Sequence, residues 1–65
     1  MDLVSKQIAH IVSCIVEAGL DPVAQILGYL ETGDDIYITR KGGARELITQ
    51  VDRTDLEEFV RRNQE

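Results

Sequence analysis

The 65-residue sequence has almost none of the residues that form disulfides or hold metals. It contains one cysteine, Cys14, and one histidine, His10. A single cysteine excludes an intramolecular disulfide, and a cysteine-rich zinc site needs several ligands at set spacings. We therefore expect no metal and no other cofactor, and we expect the reducing cytoplasm to be its compartment.

Long apolar runs are also missing. The longest is far too short to cross a membrane, and the N-terminal "MDLVSK" lacks the basic region and apolar core of a signal peptide. A chain of this length forms one domain, residues 1–65, and buries only about 60% of its unfolded surface. Since neither disulfides nor metals supplement so small a core, we expect a second copy of the chain to do so in a homodimer.

Basic residues are scarce in the first 39 positions, which carry one base and six acids, whereas residues 40–65 carry six of each. The net charge of −5 repels a phosphate backbone and argues against general nucleic-acid binding. One local basic feature remains, formed by Arg40, Lys41 and Arg45, and these three residues are called the basic cluster.

Apolar residues recur at helical spacing in four segments, which predicts an all-α fold with helices at about residues 2–18, 22–32, 41–50 and 55–63. The apolar face of the first helix is wider than one small partner helix needs. We therefore expect one side of it to be buried within the chain and the other in a dimer. The predicted dimer face consists of Val4, Ile8, Ile11, Val12 and Ile15.

Local features predict where two of these helices begin and end. Asp21 followed by Pro22 is typical of a helix start, because the carboxylate caps the first turn and proline lacks only an N–H that would be unpaired anyway. Gly19 and Gly33 are expected to end the first and second helices in left-handed conformations.

Two other segments carry predictions of their own. "TDLE" has the form of a capping box, with Thr54 as N-cap of the fourth helix and Glu57 three residues on. Ile36, Tyr37 and Ile38 are β-prone but too few to build a sheet. We expect them to form an extended linker that fixes its apolar side chains to the core.

Glycine inside a helix costs about 1 kcal/mol relative to alanine, and Gly28 lies inside the second predicted helix. Close packing of another helix, or of the "DDIYI" segment, would offset that cost.

The candidates for catalytic or metal-binding roles are few. His10 is the one conventional acid-base residue, but no neighbouring nucleophile accompanies it, and we interpret it as a surface histidine. Cys14 is interpreted as a buried thiol that packs like a small apolar residue. Asp34 and Asp35 lack the further ligands of a calcium loop, so a solvated turn is predicted, in which Asp34 bonds nearby backbone N–H groups. The protein is therefore predicted not to be an enzyme.

The segment "TRKGGAR" contains the candidate partner site. The basic cluster surrounds Gly42 and Gly43 near a predicted helix start, where backbone N–H groups can hold a phosphate or a carboxylate. The GxxxxGK[ST] spacing of a P-loop is absent. A flexible glycine turn with ordinary surface bases explains the same residues, and the sequence leaves both alternatives open.

The stretch "GLDPVAQILGYLETGDDIYITRKGGAR" resembles the IreB family of small bacterial regulatory phosphoproteins, which also includes ReoM. The family pattern is GYNPxxQIxGYxxSGDPxYxPxxxNAR, and the resemblance runs without gaps from about residue 16 to residue 62. Beyond the arginines, the matching signature residues are Pro22, Gln25, Gly28, Tyr29, Gly33, Asp34 and Tyr37.

The resemblance implies an all-helical homodimer without enzymatic activity. In the family, a serine/threonine kinase of the envelope-stress pathway phosphorylates a flexible N-terminal tail, and the phosphorylation state tunes peptidoglycan synthesis. One branch acts by controlling proteolysis of an early precursor enzyme. Arginines around the third helix are implicated in that activity, and Arg40 and Arg45 are the matching positions.

Several positions depart from the family pattern. No counterpart of the phosphorylated tail is expected here, and Ser5, the only nearby hydroxyl, lies within the predicted first helix. Gly42 and Gly43 stand where the family has two asparagines, and Asp35 and Thr39 stand where it has prolines. These departures suggest a divergent or shortened paralogue that keeps the scaffold and has lost kinase control.

The sequence thus predicts a non-enzymatic regulator that binds an unidentified protein partner through the basic cluster. The alternative is a small nucleic-acid-binding protein. The third and fourth helices superficially resemble a helix-turn-helix, and Arg53, Arg61 and Arg62 are placed to contact phosphates in that arrangement.

Overall fold

The computed structural model of the chain describes residues 2–64. Its elements, in chain order, are α1 (Leu3–Glu17), α2 (Pro22–Thr32), a 3₁₀ turn (Asp35–Tyr37), a second 3₁₀ turn (Lys41–Gly43), α3 (Ala44–Ile48) and α4 (Arg53–Asn63). This range contains four α-helices and no β-strand, so the all-α prediction is confirmed. No single helix in it is long and apolar enough to cross a membrane. Taken together, α1 and α2 have the length and the apolar composition of a membrane span, but the two helices are bent by 115° at the break between them.

The first helix has a defined cap at each end. Asp2 accepts a hydrogen bond from the backbone N–H of Ser5 at 2.8 Å, and this bond holds the pKa of the Asp2 carboxyl below its ordinary value. At the other end Gly19 has a φ of 80°, and the amide of Leu20 donates back to the carbonyl of Ile15 at 3.1 Å. These contacts satisfy terminal backbone groups and stop the helix, within one residue of each predicted boundary.

The second helix has the predicted bounds. Asp21 accepts hydrogen bonds from the amides of Val23 at 3.0 Å and Ala24 at 3.5 Å, and Pro22 occupies the first helical position. Gly33 ends the helix with a φ of 73°, in the left-handed region. The cap chemistry that was visible in the sequence therefore determines both ends of α2.

The third helix is shorter than the predicted residues 41–50. Gly42 and Gly43 have φ angles of 62° and 76°, which a right-handed helix does not allow. They form a separate left-handed glycine turn instead, and the α-helix extends only from Ala44 to Ile48.

The fourth helix begins earlier than predicted, at Arg53, and the capping box is not formed. Asp52 is the N-cap and makes no side-chain capping bond, while Thr54 is already the second helical residue. Glu57 accepts instead from Nε of Arg53 at 3.1 Å. Arg53 also donates to the carbonyl of Leu30, so a contact between α2 and α4 overrides the local capping pattern.

The linker between α2 and the second 3₁₀ turn also differs from its prediction. Residues 35–37 form a 3₁₀ turn rather than an extended piece, and only Ile38 is buried, while Ile36 and Tyr37 are exposed. The ring of Tyr37 lies against Gly28, where an added Cβ would be 3.0 Å from Cδ1 of the ring. The close packing expected at Gly28 is therefore present, and the linker supplies it.

The core lies where α1 packs mainly on α3 and α2 packs mainly on α4. Ile11 and Ile15 point into it with 0% exposure. A side chain with no exposed surface in one chain cannot contact a second copy. The prediction that Ile11 and Ile15 belong to the dimer face is therefore corrected: both lie in the core. The largest wholly buried side chains are Ile11, Ile15, Ile26, Ile38, Ile48 and Leu56.

Candidate functional site

The basic cluster divides into two parts with different surroundings. Arg40 and Lys41 are exposed, and within residues 2–64 their side chains form no hydrogen bond or ion pair. They open the segment of residues 40–43, called here the basic turn, which contains Gly42 and Gly43. Arg40 and Lys41 are therefore available to a partner as charged side chains.

Arg45 is half-buried, and its guanidinium is directed at the chain itself. Its Nε donates to the carbonyl of Ile38 at 3.0 Å, and one terminal nitrogen lies 3.5 Å from the carbonyl of Ile36. These bonds hold the linker against the start of α3. Arg45 therefore has a structural role, which Arg40 and Lys41 do not share.

Other signature residues fix the same linker. The side-chain oxygen of Gln25 accepts a hydrogen bond from the amide of Thr39 at 3.0 Å, and Asp34 accepts from the amide of Ile36 at 3.1 Å. The second bond confirms the predicted role of Asp34 in its turn. Tyr29 is half-buried and packs against the core. Much of the signature is thus explained by the path that the chain takes between α2 and α3.

His10 and Cys14 lie beneath the basic turn. Nε2 of His10 is 2.9 Å from the carbonyl oxygen of Gly42 and 3.5 Å from Sγ of Cys14. Cys14 is 6% exposed, so its predicted burial is confirmed. His10 is exposed as predicted, but it does have a cysteine neighbour, one helical turn away. Their spacing of four residues was visible in the sequence, whereas the contact with residue 42 was not.

The His10–Cys14 pair does not support nucleophilic catalysis. The thiol is covered by the backbone of Gly42, and the imidazole nitrogen nearest to it is already bonded to that residue's carbonyl. Residues 2–64 contain no group of three or more His, Cys, Asp or Glu side chains placed to hold a metal ion. The contacts join α1 to the basic turn and are structural.

Gly42 is in close contact with Cys14. An added Cβ would lie 2.5 Å from Sγ, and the φ of 62° disfavours any residue with a side chain. We expect Gly42→Ala to lower the free energy of unfolding by about 2–3 kcal/mol, from left-handed strain and overpacking together. Urea unfolding followed by circular dichroism measures this loss.

Gly33→Ala is the matched control, because Gly33 has a similar φ of 73° but nothing within 4 Å of the added methyl group. It should lose only the strain, about 1 kcal/mol. Removing the thiol with Cys14→Ala should bring the loss caused by Gly42→Ala close to that of the control. Equal losses for the two glycines in the natural background would mean that Gly42 does not touch the thiol.

The arginines of α4 are engaged with acids on the same helix. Arg61 and Arg62 both bond to Glu58, and the bond from Arg62 is 3.0 Å long. The bond from Arg61, followed by that from Arg62, holds the pKa of the Glu58 carboxyl below its ordinary value. Arg53 pairs with Glu57. Since α3 has only five residues, the helix-turn-helix alternative gains no support from this part of the molecule.

A groove of about 690 Å³, lined by both apolar and polar side chains, lies between α1 and α4. Its apolar lining comes from both helices, and acidic side chains border it together with Arg62. The lining residues are Asp2, Val4, Ser5, Ile8, Ala9, Val12, Asp55, Glu58, Phe59, Arg62 and Asn63. Three residues of the predicted dimer face, Val4, Ile8 and Val12, lie here and are half-buried. Of the five residues in the predicted dimer face, these three keep exposed surface in one chain with which to contact a second copy.

The model of the family described as IreB regulatory phosphoprotein matches residues 1–64. The match covers the helices, the linker and the basic turn, and it confirms the resemblance that the signature residues indicated.

Proposed function

We propose that this chain, which belongs to the IreB family of regulatory phosphoproteins, is a non-enzymatic regulator that binds a protein partner through Arg40 and Lys41. The observation that supports this site is the contrast among the bases. Those of α4 are paired with neighbouring acids, Arg45 is bonded to the linker, and Lys6 is a single base on α1. Arg40 and Lys41, in contrast, are two adjacent exposed bases on a turn that is packed against α1.

The proposed partner presents an acidic surface. Two neighbouring cations on a chain of net charge −5 form a local positive feature that attracts carboxylates and repels other bases. Following the family resemblance, we place the partner in the regulation of peptidoglycan synthesis, in the cytoplasm. The regulation then consists of binding rather than chemistry.

Affinity capture from the native cell, with mass spectrometry, tests this function. Arg40→Ala combined with Lys41→Ala should abolish capture of the partner and leave the helical circular dichroism spectrum unchanged. The double variant Lys6→Ala and Arg61→Ala removes the same charge from exposed positions outside the groove lining and should capture normally. Equal capture by both double variants would contradict the proposed surface, and a partner outside peptidoglycan synthesis would contradict the proposed pathway.

The second part of the proposal is a homodimer that covers the groove between α1 and α4. Stable interfaces bury about 800 Å² per partner, roughly a fifth of the 4189 Å² surface of one chain. Such an interface extends from the groove to the adjoining surfaces of α1 and α4. The polar side chains of Asp2, Asp55, Glu58 and Arg62 border the apolar part of the groove, as the polar rim of an interface does. Light scattering coupled to size exclusion should give twice the mass of one chain.

A further inference from the structure

The basic turn is fastened to the rest of the molecule at both ends. Before it, the amide of Thr39 bonds to Gln25 and the carbonyl of Ile38 bonds to Arg45, each at 3.0 Å. After the two bases, the carbonyl of Gly42 bonds to His10 at 2.9 Å. Arg40 and Lys41 thus lie between two anchoring points.

The second anchor depends on one side chain. Within residues 2–64, the bond from His10 is the only hydrogen bond between α1 and the basic turn, and it joins positions 32 residues apart. Because a carbonyl oxygen can only accept, Nε2 of His10 must carry the proton. Both the neutral imidazole with that proton and the imidazolium meet this requirement. The buried thiol of Cys14 packs beneath Gly42 but supplies little directional bonding.

We infer that His10 is a positioning residue, which holds the basic turn on α1 so that Arg40 and Lys41 are presented to an acidic segment of a partner in one arrangement. A fastened turn loses less conformational freedom on binding than a loose one, and affinity rises accordingly. That His10 positions the basic turn is inferred from the contacts within the chain. That an acidic segment of a partner binds there rests on the proposed function. The experiments below separate the two.

The first experiment measures the turn without any partner. His10→Ala should lower the backbone order parameters of Gly42 and Gly43, measured by ¹⁵N relaxation, from the rigid range near 0.85 toward 0.6 or less. His10→Gln offers an amide donor at a similar reach and should restore the rigid values. The order parameters of Gly33, a glycine cap outside this contact, should stay unchanged in both variants. Rigid Gly42 and Gly43 amides in His10→Ala would overturn the inference.

Cys14 is the chain's only thiol and provides a second probe, because it lies under the turn and contacts His10; His10→Gln, which keeps a polar side chain at position 10, is the control. Alkylation by iodoacetamide under native conditions reports how often the turn opens. His10→Ala should speed it about fivefold, the equivalent of roughly 1 kcal/mol and the typical net worth of one hydrogen bond. A local opening exposes little surface, so the increase should not depend on urea below the unfolding transition. An unchanged rate, or one that follows global unfolding, would contradict a local anchor.

The second experiment adds an acidic probe, a hexaglutamate peptide titrated at low salt and followed by the amide shifts of residues 40–43. His10→Ala should weaken its binding about fivefold, and His10→Gln should bind like the natural chain. The double variant Arg40→Ala and Lys41→Ala should not bind. Binding by that variant, or none by the natural chain, would refute the proposed acidic contact and leave the relaxation result standing. Full binding by a loosened His10→Ala would show that positioning does not serve recognition.

Discussion

Ile15→Ala is expected to lower the free energy of unfolding by about 2–5 kcal/mol, because the side chain is wholly buried and its loss leaves a cavity. At the usual stability per residue, a 65-residue domain is stable by roughly 3–10 kcal/mol, so this one change removes a large part of the total. Urea unfolding at a fixed protein concentration measures the loss.

Val16→Ala is the matched control for this prediction. Val16 follows Ile15 on α1 but is 57% exposed, so its replacement should change the unfolding free energy by less than about 0.5 kcal/mol. Similar losses at both positions would mean that the buried face of α1 is wrongly assigned. If Ile15 lay in a dimer interface instead, its replacement would weaken association, and the measured loss of stability would vary with protein concentration.

Ala9→Glu is expected to convert the proposed dimer into monomers. Ala9 is exposed in one chain and lines the groove, so the monomer tolerates a longer side chain there, but an interface would bury its charge. An unpaired buried charge costs several kcal/mol, and a loss of roughly 3 kcal/mol weakens association about 100-fold. Sedimentation equilibrium at several concentrations measures the dissociation constant.

Ala24→Glu offers the same chemical change on α2, at an exposed position outside the groove lining. It should leave both the dimer and the helical content intact. A monomeric natural chain at micromolar concentration would contradict the dimer itself. Dimers that survive Ala9→Glu but dissociate with Ala24→Glu would assign the interface to another face.

The parts of the fold that follow from neighbouring residues could be predicted from the sequence. Asp21, Pro22 and Gly33 act within one turn of a helix end, and α2 has the predicted bounds. The prediction at Thr54 failed because Arg53 bonds to Leu30 on another helix, a contact that no local pattern contains. The length of α3 was overestimated because helical spacing of apolar residues says nothing about a turn of left-handed glycines.

The candidate site shows the same division. The exposed bases Arg40 and Lys41 stand out from composition alone, since the chain has so few other bases before them. The tasks of His10 and Arg45 depend on backbone carbonyls at residues 36, 38 and 42, and backbone groups leave no trace in a sequence. The width of the apolar face of α1 was evident, but which part of it faces the core depends on how α3 packs.

Photo-crosslinking from position 46 tests the central claim, partner binding at the basic turn, most directly. Glu46 is exposed and lies beside Gly43, so a benzophenone side chain there keeps both bases and reaches a bound partner. In the native cell we expect an adduct with a second protein that disappears when Arg40 and Lys41 are changed to alanine. The same group at Glu31, exposed on α2, should give none. Adducts that form from position 31 instead, or that persist without the two bases, would contradict the account.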